Sequence, residues 1–299
     1  MRRPVLMLGL MAIAGPAWAH GGGPPPATPG WSFEPWLVAP LLLSALLYGL
    51  GFRRLWTRSG RGRATRARLG KLFGAGWLCL AIAVVSPLHQ LGERSFTAHM
   101  LEHELLMLVA APLLVASRPV STMIWAFPAA GRRALGGLGR SQSVQASWRA
   151  LTQPWTATLL QAAALWLWHL PILFDRALVS DGWHIAQHLS FLISALLFWT
   201  AMFERRVAGR ALGAPVLCLF ATSVISGALG ALMAFAQSPW YGRYAQMGMA
   251  PFGLTPVEDQ QAAGLLMWVP GGLVHVGAAL VLIAGALREP AAEASHVSA

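Results

Sequence analysis

Seven long apolar runs dominate the hydropathy pattern, each close to the ~20 residues needed to cross a hydrocarbon layer about 30 Å thick. They extend roughly from Trp36 to Phe52, Leu72 to Leu88, His99 to Ala116, Trp155 to Leu170, His184 to Phe203, Ala211 to Ala236 and Gln261 to Leu287. The runs are continuous rather than alternating, and backbone polar groups in lipid must bond within their own segment, so the pattern predicts helices and argues against a barrel. The expected fold is all-α, a polytopic membrane bundle of seven transmembrane helices over residues 36–287. Ahead of it, Arg2 and Arg3, the apolar stretch from Val5 to Ala14 and the small-residue step Ala17-Trp18-Ala19 read as a signal peptide over residues 1–19. Its removal leaves His20 at the mature N-terminus of a flexible Gly/Pro-rich tail, residues 20–35. Residues 288–299 form a short terminal tail, and no internal repeat or separate soluble domain is visible.

Composition agrees, with 56% hydrophobic and 11% charged residues against about 25% charged in soluble domains. The net charge of +11 would suit nucleic acid only if the cations shared one surface, and they do not. Arg53, Arg54, Arg58, Arg61, Arg63, Arg66, Arg68 and Lys71 follow the first run, and Arg118, Arg132, Arg133, Arg140 and Arg149 follow the third. Arg205, Arg206 and Arg210 follow the fifth, and Arg288 follows the last; the alternate connections carry only Arg94, Arg176 and Arg243. The positive-inside rule then places the mature N-terminus outside the cytoplasm and the C-terminus inside it. It accounts for the charge with a lipid bilayer as partner and no nucleic acid. The short segment Met123 to Phe127 is expected at the membrane interface. Cys79 and Cys218 lie inside apolar runs without metal-ligand spacing, which leaves no thiolate site.

That topology gathers histidines. His89 follows the second run, His99 and His103 open the third, His169 closes the fourth, and His184 and His188 open the fifth, all at the outer end. His20 would hang from the tail on the same side. Each four-residue spacing, His99 with His103 and His184 with His188, puts two imidazoles on one helix face a turn apart, the geometry of a two-imidazole metal clip. Met107 continues the first stripe at i+8, where a thioether suits a soft cuprous ion. Glu102 and Glu104 flank His103 as carboxylates that support imidazoles or mark a polar cavity. Glu258 and Asp259 precede the last run and serve either as helix caps or as site residues. His275, midway along that run, is expected to make a structural hydrogen bond.

His99-Met100-Leu101-Glu102-His103 running on to Leu113, Trp166-Leu167-Trp168-His169-Leu170-Pro171, His184 to Leu189, and Pro256-Val257-Glu258-Asp259-Gln260-Gln261 through Gly271 together resemble the CtaG family of bacterial cytochrome c oxidase assembly proteins, first associated with caa-type oxidases. The resemblance covers about residues 36–287 in order. It implies a seven-helix protein of the bacterial cytoplasmic membrane that assists oxidase maturation, with copper delivery as its activity and no enzymatic reaction. By the resemblance, oxidase subunits and periplasmic copper chaperones are the expected partners. The family's histidines map onto His99, His103, His169, His184 and His188, and its acidic motif onto Glu258 and Asp259. Glu102, Glu104 and His275 depart from the family pattern while leaving the helix register intact.

Imidazole and thioether ligands without thiolate favour copper over zinc or calcium. Two alternatives stay open on the residues alone. One is a bis-histidine haem or quinone electron carrier, with His103 and His188 clasping the group between helices. The other is a copper permease, which needs polar groups spaced through the bilayer; the inner halves of the runs read as largely apolar.

Overall fold

A computed structural model describes residues 29–58, 60, 62–204 and 212–297. In chain order the helices are α1 (Pro35–Arg58), α2 (Arg63–Val85), α3 (Pro87–Gly92), α4 (Phe96–Ala116), α5 (Pro119–Met123), α6 (Ala129–Leu138), α7 (Gln142–Leu151), α8 (Pro154–Trp168), α9 (Pro171–Val179), α10 (Asp181–Glu204), α11 (Gly213–Ala234), α12 (Gly242–Met247) and α13 (Pro256–Val297). There is no strand among the described residues, so the all-α class holds. Among the described residues, six helices are long and apolar enough to cross a membrane: α1, α2, α4, α10, α11 and the Pro256–Leu287 part of α13. Leu42, Phe220, Leu273 and Leu287 are all exposed on them, as expected of side chains that face lipid. The expected signal peptide and His20 lie outside the described residues.

The fourth run departs from a straight span. It forms the 15-residue α8, which breaks after Trp168 and bends by 75° into α9, making seven spans only if the pair counts as one. Pro171 is the cause: it cannot donate to a continuing helix and pushes its predecessor out of helical conformation, and Leu170 has φ −63° and ψ 128°.

Two further boundaries differ from the hydropathy reading. The basic stretch after the first run is mostly helix, because α1 continues to Arg58 and α2 begins at Arg63. At the other end, the expected flexible tail meets the bundle before residue 35: Gly30 N donates to Gln90 Oε1 (2.6 Å) and Ser32 N to the Val85 carbonyl (2.8 Å). The segment Met123 to Phe127 folds as a short turn beneath α1, where Arg54 Nη1 donates to the Trp125 and Ala126 carbonyls at 3.1 and 2.8 Å.

Small residues let α11 and α13 touch. A Cβ at Gly264 would stand 2.5 Å from the Gly230 carbonyl oxygen and 2.6 Å from Ala234 N, so the two backbones are in direct contact there. Their neighbour α4 is irregular. From Leu105 to Ala110 it widens into a π turn, in which Ala111 N donates to Leu106 O. The next donor in that pattern would be residue 112, which is proline and has none. The freed Met107 carbonyl instead accepts from Trp199 Nε1 of α10 at 2.9 Å.

Candidate functional site

Three elements bring histidines together at one end of the bundle. Ser86 starts α3, its hydroxyl accepting from Leu88 N at 3.2 Å with Pro87 in the first turn, and so presents His89. Ser95 caps α4 in the same way, accepting from Ala98 N at 3.2 Å, which sets the register of His99 and His103. His184 and His188 come from the first two turns of α10.

Five of these rings pack against one another. Ring centroids lie 4.4 Å apart for His99 and His103 and for His184 and His188, 4.9 Å for His103 and His188, 5.2 Å for His89 and His184, and 5.6 Å for His99 and His184. The closest nitrogens are Nε2 of His103 and Nε2 of His188, 3.3 Å apart. Glu102, fully buried, supports the group from behind. Its Oε1 lies 2.8 Å from His89 Nδ1 and 3.6 Å from His188 Nδ1. Burial pulls the His89 imidazole down, but the Glu102 charge and hydrogen bond, helped by Glu93 and Glu34, raise it above the ordinary histidine value. Nε2 of His99, Nε2 of His184, Nδ1 of His103 and both amide atoms of Gln187 are buried with no hydrogen-bond partner.

One pair of ring nitrogens, Nε2 of His103 and Nε2 of His188, stands at the spacing that a shared metal ion requires. Two imidazole nitrogens on one ion at about 2.0–2.1 Å in tetrahedral geometry lie about 3.3 Å apart, which is the observed His103–His188 spacing. Still, among the described residues no three His, Cys, Asp or Glu side chains already converge on a single point. The cluster is a set of packed imidazoles rather than a finished coordination sphere.

The other sequence candidates lie elsewhere. His169 is close but separate: Phe174 and Phe191 touch both its ring and the cluster rings. Its nitrogens face the Leu165 carbonyl at 2.7 Å and Met100 Sδ at 3.4 Å. Met107 does not continue the His99–His103 stripe, because the π turn rotates it away. It lines an interior cavity with Glu104 and His275 instead. Asp259 caps α4, accepting from Phe96 N (2.5 Å), Thr97 N (3.2 Å) and Ser95 Oγ (2.9 Å). Glu258 is in a capping box, its Oε2 accepting from Thr255 N and Thr255 Oγ1, both at 2.8 Å, while Glu258 N donates to Thr255 Oγ1. His275 donates from Nδ1 to the Gly271 carbonyl at 2.7 Å, the structural bond expected of it.

Sequence reasoning left His89, Met100 and Gln187 out of the ligand set. A signal existed for two of them, since His89 was already assigned to the same end and Gln187 lies one turn from His184.

The fold and the site define a multi-pass helical membrane protein with a buried imidazole cluster near one end of its bundle. The sequence pattern of the cytochrome c oxidase caa3 assembly factors, Caa3_CtaG, matches residues 46–289, and the chain belongs to that family. No curated protein and no solved structure matches it.

Proposed function

We propose that this protein holds copper for delivery to an oxidase metal centre, with the packed imidazoles of His89, His99, His103, His184 and His188 as the place where the ion rests. The observation that carries the reading is the group of buried, unpartnered imidazole nitrogens around the 3.3 Å His103–His188 pair. Buried polar atoms are normally satisfied, and a cationic cargo satisfies several lone pairs at once. Imidazoles accept Cu(I) as well as Cu(II), and Glu102 supplies a negative charge behind them, as carboxylates do for ligating histidines. The charge asymmetry of the connections supports a periplasmic position for the cluster, within reach of an oxidase domain there. An oxidase subunit is then the recipient and a periplasmic copper carrier the donor. The contact between the His103 and His188 rings leaves no slot for a macrocycle, so the geometry favours an ion over haem.

The test is replacement of His103 and His188 by Asn, singly and together, in cells that depend on the oxidase. The expected result is normal protein abundance with a copper-poor oxidase, partly rescued by added copper. Unchanged oxidase copper, or loss of the protein itself without copper rescue, would overturn the reading.

A further inference from the structure

Below the histidine cluster lies a second polar site that the hydropathy pattern concealed. A cavity of about 20 Å³, room for one water or ion, lies between α4, α8, α11 and α13. Among its lining residues are Glu104, Met107, Gln161, Thr222, Ser226 and His275. Five acceptor atoms belong to its polar residues. His275 is 3% exposed, and because a carbonyl only accepts, its Nδ1 must donate to Gly271 O, leaving Nε2 as a lone pair in the neutral ring; Nε2 is buried and unpartnered. Gln161 Oε1 and Glu104 Oε2 are likewise buried without a partner. The hydroxyls of Thr222 and Ser226 spend their protons on the carbonyls of Cys218 (2.9 Å) and Thr222 (2.8 Å), so their oxygens too remain acceptors. Gly271 stands across from the carboxylate, where a Cβ would make an ordinary contact with Glu104 Oε2 at 3.5 Å.

A lone water has two protons to offer and would leave part of this set unsatisfied. A cation can meet the three unpartnered atoms, His275 Nε2, Gln161 Oε1 and Glu104 Oε2, at once. We propose that the cavity is a second, intramembrane site for one monovalent soft metal ion, Cu(I), held by His275 Nε2, the Met107 thioether and Glu104, with Gln161 completing the shell. Imidazole and thioether are the donors Cu(I) prefers. One carboxylate neutralises one positive charge, whereas a divalent ion would leave net charge in the hydrocarbon region, which is expensive. The proposal relies on the reading of the histidine cluster only for the identity of the ion.

The experiment uses the full chain in lipid nanodiscs, titrated with Cu(I) against a competing chelator and with Ag(I) as a redox-inert substitute, with X-ray absorption of the bound metal. Met107→Leu conserves volume and so preserves the fold. It is expected to remove one ion per chain, to weaken that binding step at least tenfold and to abolish metal–sulfur scattering at that step. His275→Phe should lose the same ion, and Met100→Leu should lose neither ion nor scattering. The double variant His103→Asn, His188→Asn should retain the inner ion, so the two sites fail on different variants. Full stoichiometry and sulfur scattering in Met107→Leu would overturn the proposal. So would the absence of bound Ag(I) in the His103/His188 double variant, which would mean that the cavity holds only water.

Discussion

Removing the Asp259 side chain separates the two roles that an acidic residue at a helix start can play. The carboxylate is 2% exposed and accepts from two backbone N–H groups and one hydroxyl at the start of α4, and the Asp259 carbonyl accepts from Thr97 Oγ1 at 2.8 Å. It is thus a clamp that ties α13 to the end of the helix bearing His99 and His103. Asp259→Ala removes a capping group worth about 1 kcal/mol and strands the buried Phe96 N–H, adding about 2 kcal/mol. The expected loss is therefore about 3 kcal/mol. At about 2 °C per kcal/mol for a chain of this size, the unfolding midpoint should fall by roughly 6 °C. Asp259→Asn keeps one acceptor oxygen and should fall about half as far. The assay is thermal unfolding in detergent, followed by tryptophan fluorescence without metal, alongside copper binding at a temperature where every variant is folded. The clamp predicts lower stability with nearly intact copper binding. Unchanged stability with abolished copper binding would refute it and make Asp259 a ligand.

Other substitutions probe packing and titration. Gly264→Ala places a methyl group against the Gly230 carbonyl and Ala234 N and should block stable insertion or cost at least 3 kcal/mol, in the upper range for overpacking; Gly277→Ala, which meets nothing within 4 Å, should leave the midpoint unchanged or slightly higher. Burial pushes the phenols of Tyr241 and Tyr244 up, with Asp175 adding to the first and Asp259 to the second. A raised folded value gives stability that is complete below the unfolded value of about 10 and is lost as pH climbs beyond it. Unfolding midpoints should therefore decline above about pH 10, and tyrosinate absorbance from these two residues should appear only together with unfolding. Their ionisation at pH 10.5 in the folded protein would contradict the burial argument.

Helix existence and the pairing of His99 with His103 and His184 with His188 were legible because both depend on periodicities that a sequence displays directly. The break of α8 was written in Pro171, yet an apolar average across Trp155 to Leu170 hides a single proline just beyond the window. Met107 was misplaced because i+8 counting assumes a regular helix. Pro112 removes a donor and the chain adopts a π turn, which no apolar pattern encodes. Glu104, Gln161, Thr222 with Ser226, and His275 come from four different runs, and no pattern within one run links them to the others. Only packing shows that they face one cavity.

The bend after Trp168 also bears on the membrane itself. Fifteen helical residues rise about 22 Å, several ångströms less than the hydrocarbon thickness that the other spans match. Continuing as α9 at 75°, the chain turns aside with Ile172 and Val179 exposed, an orientation suited to lying along the headgroup boundary. On this flank the bilayer must thin or water must dip inward to meet the protein. His169 occupies that corner, and Phe174 and Phe191 stand between it and the imidazole cluster. On the side of the bundle next to α8 and α9 the lipid between the histidines and the aqueous phase is therefore shallower than a full-length span would leave it.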